Sequence, residues 1–417
     1  MVVSDDFFQS PIQTGYWDFV KSDFLINHPF IFVIKCLDHI DDLFDLMDKL
    51  NDCILVDSHL DGDPVDASFM TAGSRKPREY EHLVSLGSIR NAPDVDPLRV
   101  VAHDIRRFAR TLLGQGVHAQ QLTALISHLN DVLAARLVDI MAARHGIDQQ
   151  DFCWIALGSE GRHEQTIATD QDNALILAPH LPAAAALAMA LDINQALDAC
   201  GYPLCKGQIM ASNPACCLTL AQWQERFAGW IEQGAPQDLL NASIYFDFRP
   251  LAGNDALART LREGVQRLAR INPRFLRQMA VNSLQRAAPL NWLGSIDSTE
   301  IGGKETIDLK LQGTALFVDV ARLYALAHGV AATGTRDRLQ AVGPMLGVPE
   351  GESEAWIGGF EFLQLLRLHA QLDGTTVGDN PNCIDVGSLN DIDRRILKET
   401  LRVLRTLQQR VRLDYER

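Results

Sequence analysis

The stretch Leu157-Gly158-Ser159-Glu160-Gly161-Arg162-His163-Glu164-Gln165, followed three residues later by Thr169-Asp170-Gln171-Asp172-Asn173, is the most informative part of this chain. Phe152 to Leu157 before it and Ala174 to Leu177 after it are short apolar runs of strand length. A buried strand therefore runs into a Gly-Ser turn, and ten residues on, two carboxylates open the next strand. Residues i and i+2 of a strand point to one face, so Asp170 and Asp172 can converge on one divalent cation. Small residues at 158 and 159 let backbone N–H groups approach phosphate oxygens. Phosphoryl and nucleotidyl transfer need such parts: metal to neutralise charge, in-line geometry and donors on the leaving group. Asp247 is the single acid in Ser243-Ile244-Tyr245-Phe246-Asp247-Phe248-Arg249-Pro250, which reads as a strand. An acid there is costly to bury without a cation, so it is the candidate third carboxylate of a two-metal site. The competing reading of Asp247 is a structural ion pair with Arg249 or another arginine.

Outward from this stretch, Asp96-Pro97 reads as N-cap and first helical position, with Leu98, Val101, Ile105, Phe108 and Leu112 as an apolar stripe. Leu122, Leu125, Ile126, Leu129, Leu133, Leu137 and Ile140 mark a second helix from about Ala119 to Arg144. The two make a helical hairpin over 97–147. Leu181 to Ala199 is an Ala/Leu-rich helix, and from Asp255 onward the pattern is almost wholly helical, broken around Pro289–Gly303 and Gly374–Gly387. Residues 73–96 are polar and turn-rich and read as a linker. The fold class is α+β: a small mixed sheet within 148–254, between the hairpin and a C-terminal helical domain over 255–417.

With 417 residues, 47% hydrophobic and 22% charged, the chain has the composition of a globular protein of two or three domains. Its net charge of −15 argues against nonspecific binding to nucleic acid. Residues 1–66 hold fourteen Asp and three Lys and no Glu or Arg, and so carry −11 of that charge. Within them Phe30–Ile34, Ile40–Met47 and Cys53–Val56 suggest strand, helix, strand; the acids read as a solvated face, with an acidic docking surface as the alternative. The apolar run from Ala183 to Leu191 is too short to span a bilayer, and Asp5 and Asp6 stand where an export signal carries basic residues. Eight cysteines include no Cys-x-x-Cys pair. Scattered thiols fit a reducing cytoplasm, and Cys205, Cys216 and Cys217 read as packed thiols.

Gly-Ser, ten residues, Asp-x-Asp and a later strand Asp resemble the signature of the DNA polymerase β-like nucleotidyltransferase superfamily. Gly158, Gly161, Arg162, Glu164, Asp170 and Asp172 are similar in spacing to the loop of bacterial protein-PII uridylyltransferases. Asp247-x-Arg249-Pro250 looks like a strand of the glutamine synthetase adenylyltransferases. Residues from about 85 to 417 resemble most closely a family of signal-transduction nucleotidyltransferases that commonly carry cyclic-nucleotide-binding and CBS domains upstream. That likeness rests on Leu122 to Asp131, Ala156 to Asn173, Met210-Ala211-Ser212-Asn213-Pro214, Asn241 to Pro250, Ile307 to Leu311 and Ala321 to Leu326. Residues 1–72 would then be a degenerate CBS-like remnant.

The resemblance implies that Gly158 and Ser159 cradle the phosphates of an NTP, UTP or ATP. It implies Asp170 and Asp172 as ligands of Mg²⁺ (or Mn²⁺), and Asp247 as third ligand and candidate base. Arg162 would clamp phosphate, its planar fork suiting phosphate oxygens, and Lys310, on an expected helix, would reach the triphosphate from the other wall of the cleft. Arg162 has a competing reading as the partner of Glu164 or Glu160, and Lys310 as a surface charge. The implied reaction is transfer of a nucleoside monophosphate to a hydroxyl on a protein, a PII-like regulator first; the alternative is a nucleotide-binding regulatory module without turnover.

Overall fold

The computed structural model describes residues 86–114 and 119–416. The CBS-like reading, the acidic segment and most of the expected linker lie outside these residues. The linker's last part is not a linker: α1 (Leu86–Arg90) buries Leu86 and Ile89, one helical turn apart, against the hairpin. The hairpin follows as α2 (Val95–Gly114) and α3 (Ala119–His145), with the apolar positions of both stripes mostly buried.

Strand β1 (Phe152–Ala156) leads into one helical turn, Gly158–Gly161, and the chain returns as β2 (Asn173–Leu177). Helix α4 (Ala183–Ala199) then precedes β3 (Cys217–Thr219), α5 (Leu220–Gln233) and α6 (Pro236–Ala242). A 3₁₀ segment, Ser243–Asp247, leads to β4 (Arg249–Gly253). Asp247 was expected inside a strand; pairing starts two residues later, where Arg249 lies opposite Ala156. The sheet order is β3-β2-β1-β4, with β1 antiparallel to β2 and β4, and β3 parallel to β2.

All ten residues of β1 and β2 are buried, because both faces of the sheet are covered. Phe152, Trp154, Leu175 and Leu177 face the hairpin and α4; Cys153, Ile155, Ala174 and Ile176 face α5 and the helices beyond. That double cover explains why the strands read as unbroken apolar runs rather than alternating ones.

Helices α7 (Asp255–Arg270) and α8 (Pro273–Ser283) open the C-terminal domain. Strands β5 (Thr299–Ile301) and β6 (Lys304–Asp308) precede a π-helical turn, Lys310–Thr314, that runs into α9 (Ala315–His328). Then come α10 (Thr335–Met345), α11 (Glu350–Asp373), β7 (Cys383–Asp385) and α12 (Asp391–Tyr415). Strands from the two breaks in the helical pattern, β5 and β7, flank β6 in a second sheet of order β5-β6-β7. Helix α9 is packed on by α7, α8, α10 and α12, as a mostly apolar helix demands. Its one buried charge, Arg322, points to a partner. No helix among the described residues is long and apolar enough to cross a membrane.

Candidate active site

The Gly-Ser turn and the Asp-x-Asp segment are joined by main chain: Leu157 N–H donates to the Asp172 carbonyl at 2.8 Å. Gly158 sits at φ +55°, where a Cβ would lie 3.2 Å from the Asp172 carboxylate and 3.0 Å from Ile244. At Gly161 a Cβ would fall 1.8 Å from the Asp247 carbonyl oxygen. One glycine lets Ile244 and the Asp172 carboxylate close in on the turn, and the other lets the turn lie on the Asp247 backbone.

Alternation along the extended segment sends Asp170 and Asp172 one way, and Gln171 and Asn173 into the interior. The buried Gln171 amide donates to the carbonyls of Asn194 and Tyr202 at 3.0 and 2.7 Å. Asn194 Nδ2 donates to Gln171 Oε1 and Asn173 Oδ1 at 2.8 and 3.0 Å. Nearby, Tyr202 donates to Asn130, Asn130 to Gln165, and the Gln165 N–H to Ser127, tying this layer to α3. These positioning residues were not singled out from sequence. Their signals are that Ser127, Asn130, Gln165, Gln171 and Asn173 lie in stretches that carry the resemblance, and that Gln171 and Asn173 are amides where a buried strand starts.

The carboxylates of Asp170 and Asp172 and the Sγ of Cys205 lie within 4.8 Å of one another. Burial and the adjacent Asp170 push the Asp172 carboxyl up to about 7, against the opposing pull of the Cys205 thiol, Lys310 and Arg162. Two crowded, partly desolvated carboxylates favour a cation between them. The donor set therefore fits the divalent ion expected here. Lys310 is the first residue of the π-helical turn that runs into α9, and its ammonium is close enough to act on Asp172 from the C-terminal domain.

The structure does not bring Asp247 to this pair as a ligand, which corrects that expectation. Asp247 is fully buried, and both of its oxygens are taken by guanidinium groups. Arg322 Nε and Arg338 Nη1 donate to Oδ1 at 2.9 and 2.7 Å; Arg162 Nη1 and Arg322 Nη2 donate to Oδ2 at 2.7 and 2.6 Å. Burial opposes the charge, yet Arg322, Arg338 and Arg162 hold the carboxyl far below the usual range. Four charge-assisted donors fill the lone-pair directions a metal or an acceptor hydroxyl would need.

Arg162 is spent in the same way. Its Nε donates to Glu164 at 2.6 Å and its Nη1 to Asp247, so the planar fork faces carboxylates rather than an open phosphate site. Glu164 in turn accepts the Thr335 N–H of α10 at 2.5 Å. Arg249 pairs not with Asp247 but with Asp131 of α3, Nη2 lying 2.6 Å from each oxygen, and it also donates to the Glu160 carbonyl. Glu160 lines a small cavity together with Asn130, Gln165, Asp170, Tyr202 and the apolar Ala134 and Leu197. Burial, with Asp131 and Asp172 nearby, pushes its carboxyl up to about 8 against Arg249.

Residues 103–237 match the family described as "Putative nucleotidyltransferase DUF294". Residues 273–415 match the one described as "Putative nucleotidyltransferase substrate binding domain". The first match covers most of the hairpin and strands β1 to β3 with the Asp170/Asp172 pair, and ends before Asp247 and β4; the second covers α8 to α12 with Lys310, Arg322 and Arg338. No individual curated protein matches the chain.

Proposed function

The chain belongs to this nucleotidyltransferase family and carries both of its domains, and from that premise we propose that it moves a nucleoside monophosphate from an NTP to a hydroxyl on a protein. The observation that carries the reading is the Gly158 turn held against Asp172, with an acid pair beside it and no side chain on residue 158 itself. The first turn of a helix leaves its N–H groups without intrahelical partners, and here they belong to Gly158, Ser159 and Glu160. They are suited to donate to phosphate oxygens. Asp170 and Asp172 would hold a divalent ion, Mg²⁺ or Mn²⁺, which when bound neutralises triphosphate charge and aligns it. Lys310 adds a positive charge from the opposite wall. The acceptor oxygen bonds to the α-phosphorus as the bond to the β-phosphate oxygen breaks; pyrophosphate leaves and the hydroxyl proton passes to solvent.

The resemblance to protein-PII uridylyltransferases makes uridylylation of a PII-like regulator the leading version of this proposal and adenylylation the next. A second reading is a nucleotide-binding regulatory module without turnover. It is favoured by the commitment of Asp247 to arginines, which leaves two carboxylates at the site instead of three.

The test is incubation of the protein with each α-labelled NTP, Mg²⁺ or Mn²⁺, and cell extract. The control is Asp170→Ala/Asp172→Ala. A labelled protein band present with the unaltered chain and absent in the control supports transfer and identifies the base. Tight nucleotide binding with no label from any NTP supports the regulatory module.

A further inference from the structure

Cys205 has the burial of a packed thiol, at 6% exposed, but not the surroundings of one. Among the described residues, its sulfur is the one that forms a metal-sized group with two carboxylates, those of Asp170 and Asp172. Cys216 is set against Tyr245 instead, and Cys153 and Cys217 lie in the two apolar cores. The segment that carries Cys205 is pinned to the Asp-x-Asp segment by main chain on both sides of Asp172. Gln171 N–H donates to the Pro203 carbonyl at 3.0 Å, and Asn173 N–H donates to the Ile209 carbonyl at 3.1 Å. Sulfur and carboxylate therefore move as one piece. Between those two rungs the chain doubles back, with Gln208 N–H donating to the Cys205 carbonyl and Gln208 at φ +58°. The turn directs the N–H groups of Gly207 and Ile209 at the sulfur, while burial and the neighbouring Asp172 and Asp170 carboxylates keep it a protonated thiol as long as no cation lies between them.

We infer that Cys205 is the third protein ligand of the ion held by Asp170 and Asp172, and that its sulfur makes the site prefer the less hard Mn²⁺ over Mg²⁺. This rests on the reading of the acid pair as a metal site. Carboxylate oxygens suit Mg²⁺ and Mn²⁺ alike, but Mg²⁺ takes hard oxygen ligands in strict octahedral geometry, whereas a thiolate adds affinity for softer ions. On coordination the thiol gives its proton to solvent, and its hydrogen bond to Asp172 is replaced by the shared ion. The sequence shows Cys205 only as one scattered cysteine, because the loop that brings it to residue 172 is not visible in local spacing.

The experiment uses the full chain, with Cd²⁺ as spectroscopic probe and Mn²⁺ and Mg²⁺ as competitors, for the unaltered protein, Cys205→Ser and Asp170→Asn/Asp172→Asn. The expected result is an ultraviolet thiolate-to-cadmium band that Mn²⁺ displaces at concentrations at least about tenfold below Mg²⁺. Cys205→Ser should lose that band, keep Mg²⁺ binding and its melting temperature, and show a Mn²⁺ preference reduced to about twofold or less. The serine hydroxyl keeps the size and hydrogen bonding of the thiol, so unfolding is not the expected confounder, and the melt checks it. If Cys205→Ser binds Cd²⁺ and Mn²⁺ as the unaltered chain does while the double Asn variant binds neither, the inference is overturned and the acid-pair site stands. If the unaltered chain binds no divalent ion even with nucleotide present, the acid-pair reading fails and the inference with it.

Discussion

Arg322 of α9 grips both oxygens of Asp247, through Nε at 2.9 Å and Nη2 at 2.6 Å. Arg338 of α10 and Arg162 of the Gly-Ser loop complete the set, so one carboxylate joins the sheet domain to two helices of the C-terminal domain. Three buried guanidinium groups are balanced by Asp247 together with Asp319, which accepts from Arg322, and Glu164, which accepts from Arg162. The turn that faces Asp172 is thereby fixed to the domain that presents Lys310.

Asp247→Asn leaves those arginines short of one charge in a dry interior, and breaking such a pair costs about 3–5 kcal/mol. Denaturant unfolding should show a loss of that size, with divalent binding at Asp170/Asp172 retained. A metal ligand would behave the other way, losing the ion with little change in stability. The sign with pH follows from the lowered pKa. The contribution of Asp247 is complete above the ordinary carboxylate range and is lost only as pH falls through its depressed folded value. The joint should therefore survive mild acid.

Glu160 and Asp172 titrate in the opposite sense. Their folded values are raised to about 8 and about 7, so the native state holds protons that the unfolded chain releases from about pH 4 upward. Each such proton lowers stability by up to about 1.4 kcal/mol per pH unit as pH rises through that window. Without divalent ions, the melting temperature should fall from about pH 5 to about pH 8. Adding Mn²⁺ should recover the Asp172 part and leave the Glu160 part. A flat profile in chelator would show that neither group keeps its proton.

Much of this was legible in sequence where the signal is local. The hairpin stripes, the two apolar strands and the convergence of Asp170 and Asp172 follow from periods of 3.6 and 2. What was not legible is set by distant packing. Asp247 looked like a metal ligand because an isolated acid in an apolar stretch calls for a cation, but the cations proved to be Arg322 and Arg338, 75 and 91 residues further along. Arg249, beside it in sequence, turned to Asp131 instead. The β5-β6-β7 sheet was hidden because two of its short strands lie in turn-rich breaks and the third follows the first break directly, and they pair only in the fold.

Gly158→Ala and Gly161→Ala should fail differently. At 158 the new Cβ meets flexible Ile244 atoms and the Asp172 carboxylate at 3.0–3.2 Å, in a left-handed conformation costing roughly 1 kcal/mol. The variant should fold, with nucleotide affinity reduced at least about tenfold because the phosphate approach is filled. At 161 the Cβ would sit 1.8 Å from a backbone oxygen that cannot move without carrying Asp247 with it. That variant should lose several kcal/mol or fail to fold, as backbone overpacking does. Calorimetric nucleotide titration beside a thermal melt separates the two.

Lys310 tests whether the two domains form one site. It is exposed, it stands at the mouth of a π-helical turn, and its charge reaches Asp172. Its backbone N–H is already held by Asp308 at 2.9 Å, so truncating the side chain leaves the turn intact. Lys310→Ala should melt with the unaltered protein, since an exposed charge contributes little to stability. A lysine that meets the triphosphate in ground state and transition state alike should raise KM for NTP with kcat little changed; one that acts on the departing pyrophosphate should lower kcat instead. Lys310→Arg should restore much of the first effect, since charge suffices there, and less of the second, where a compact ammonium is placed on one oxygen. Unchanged KM and kcat in Lys310→Ala would assign the nucleotide to the sheet domain alone.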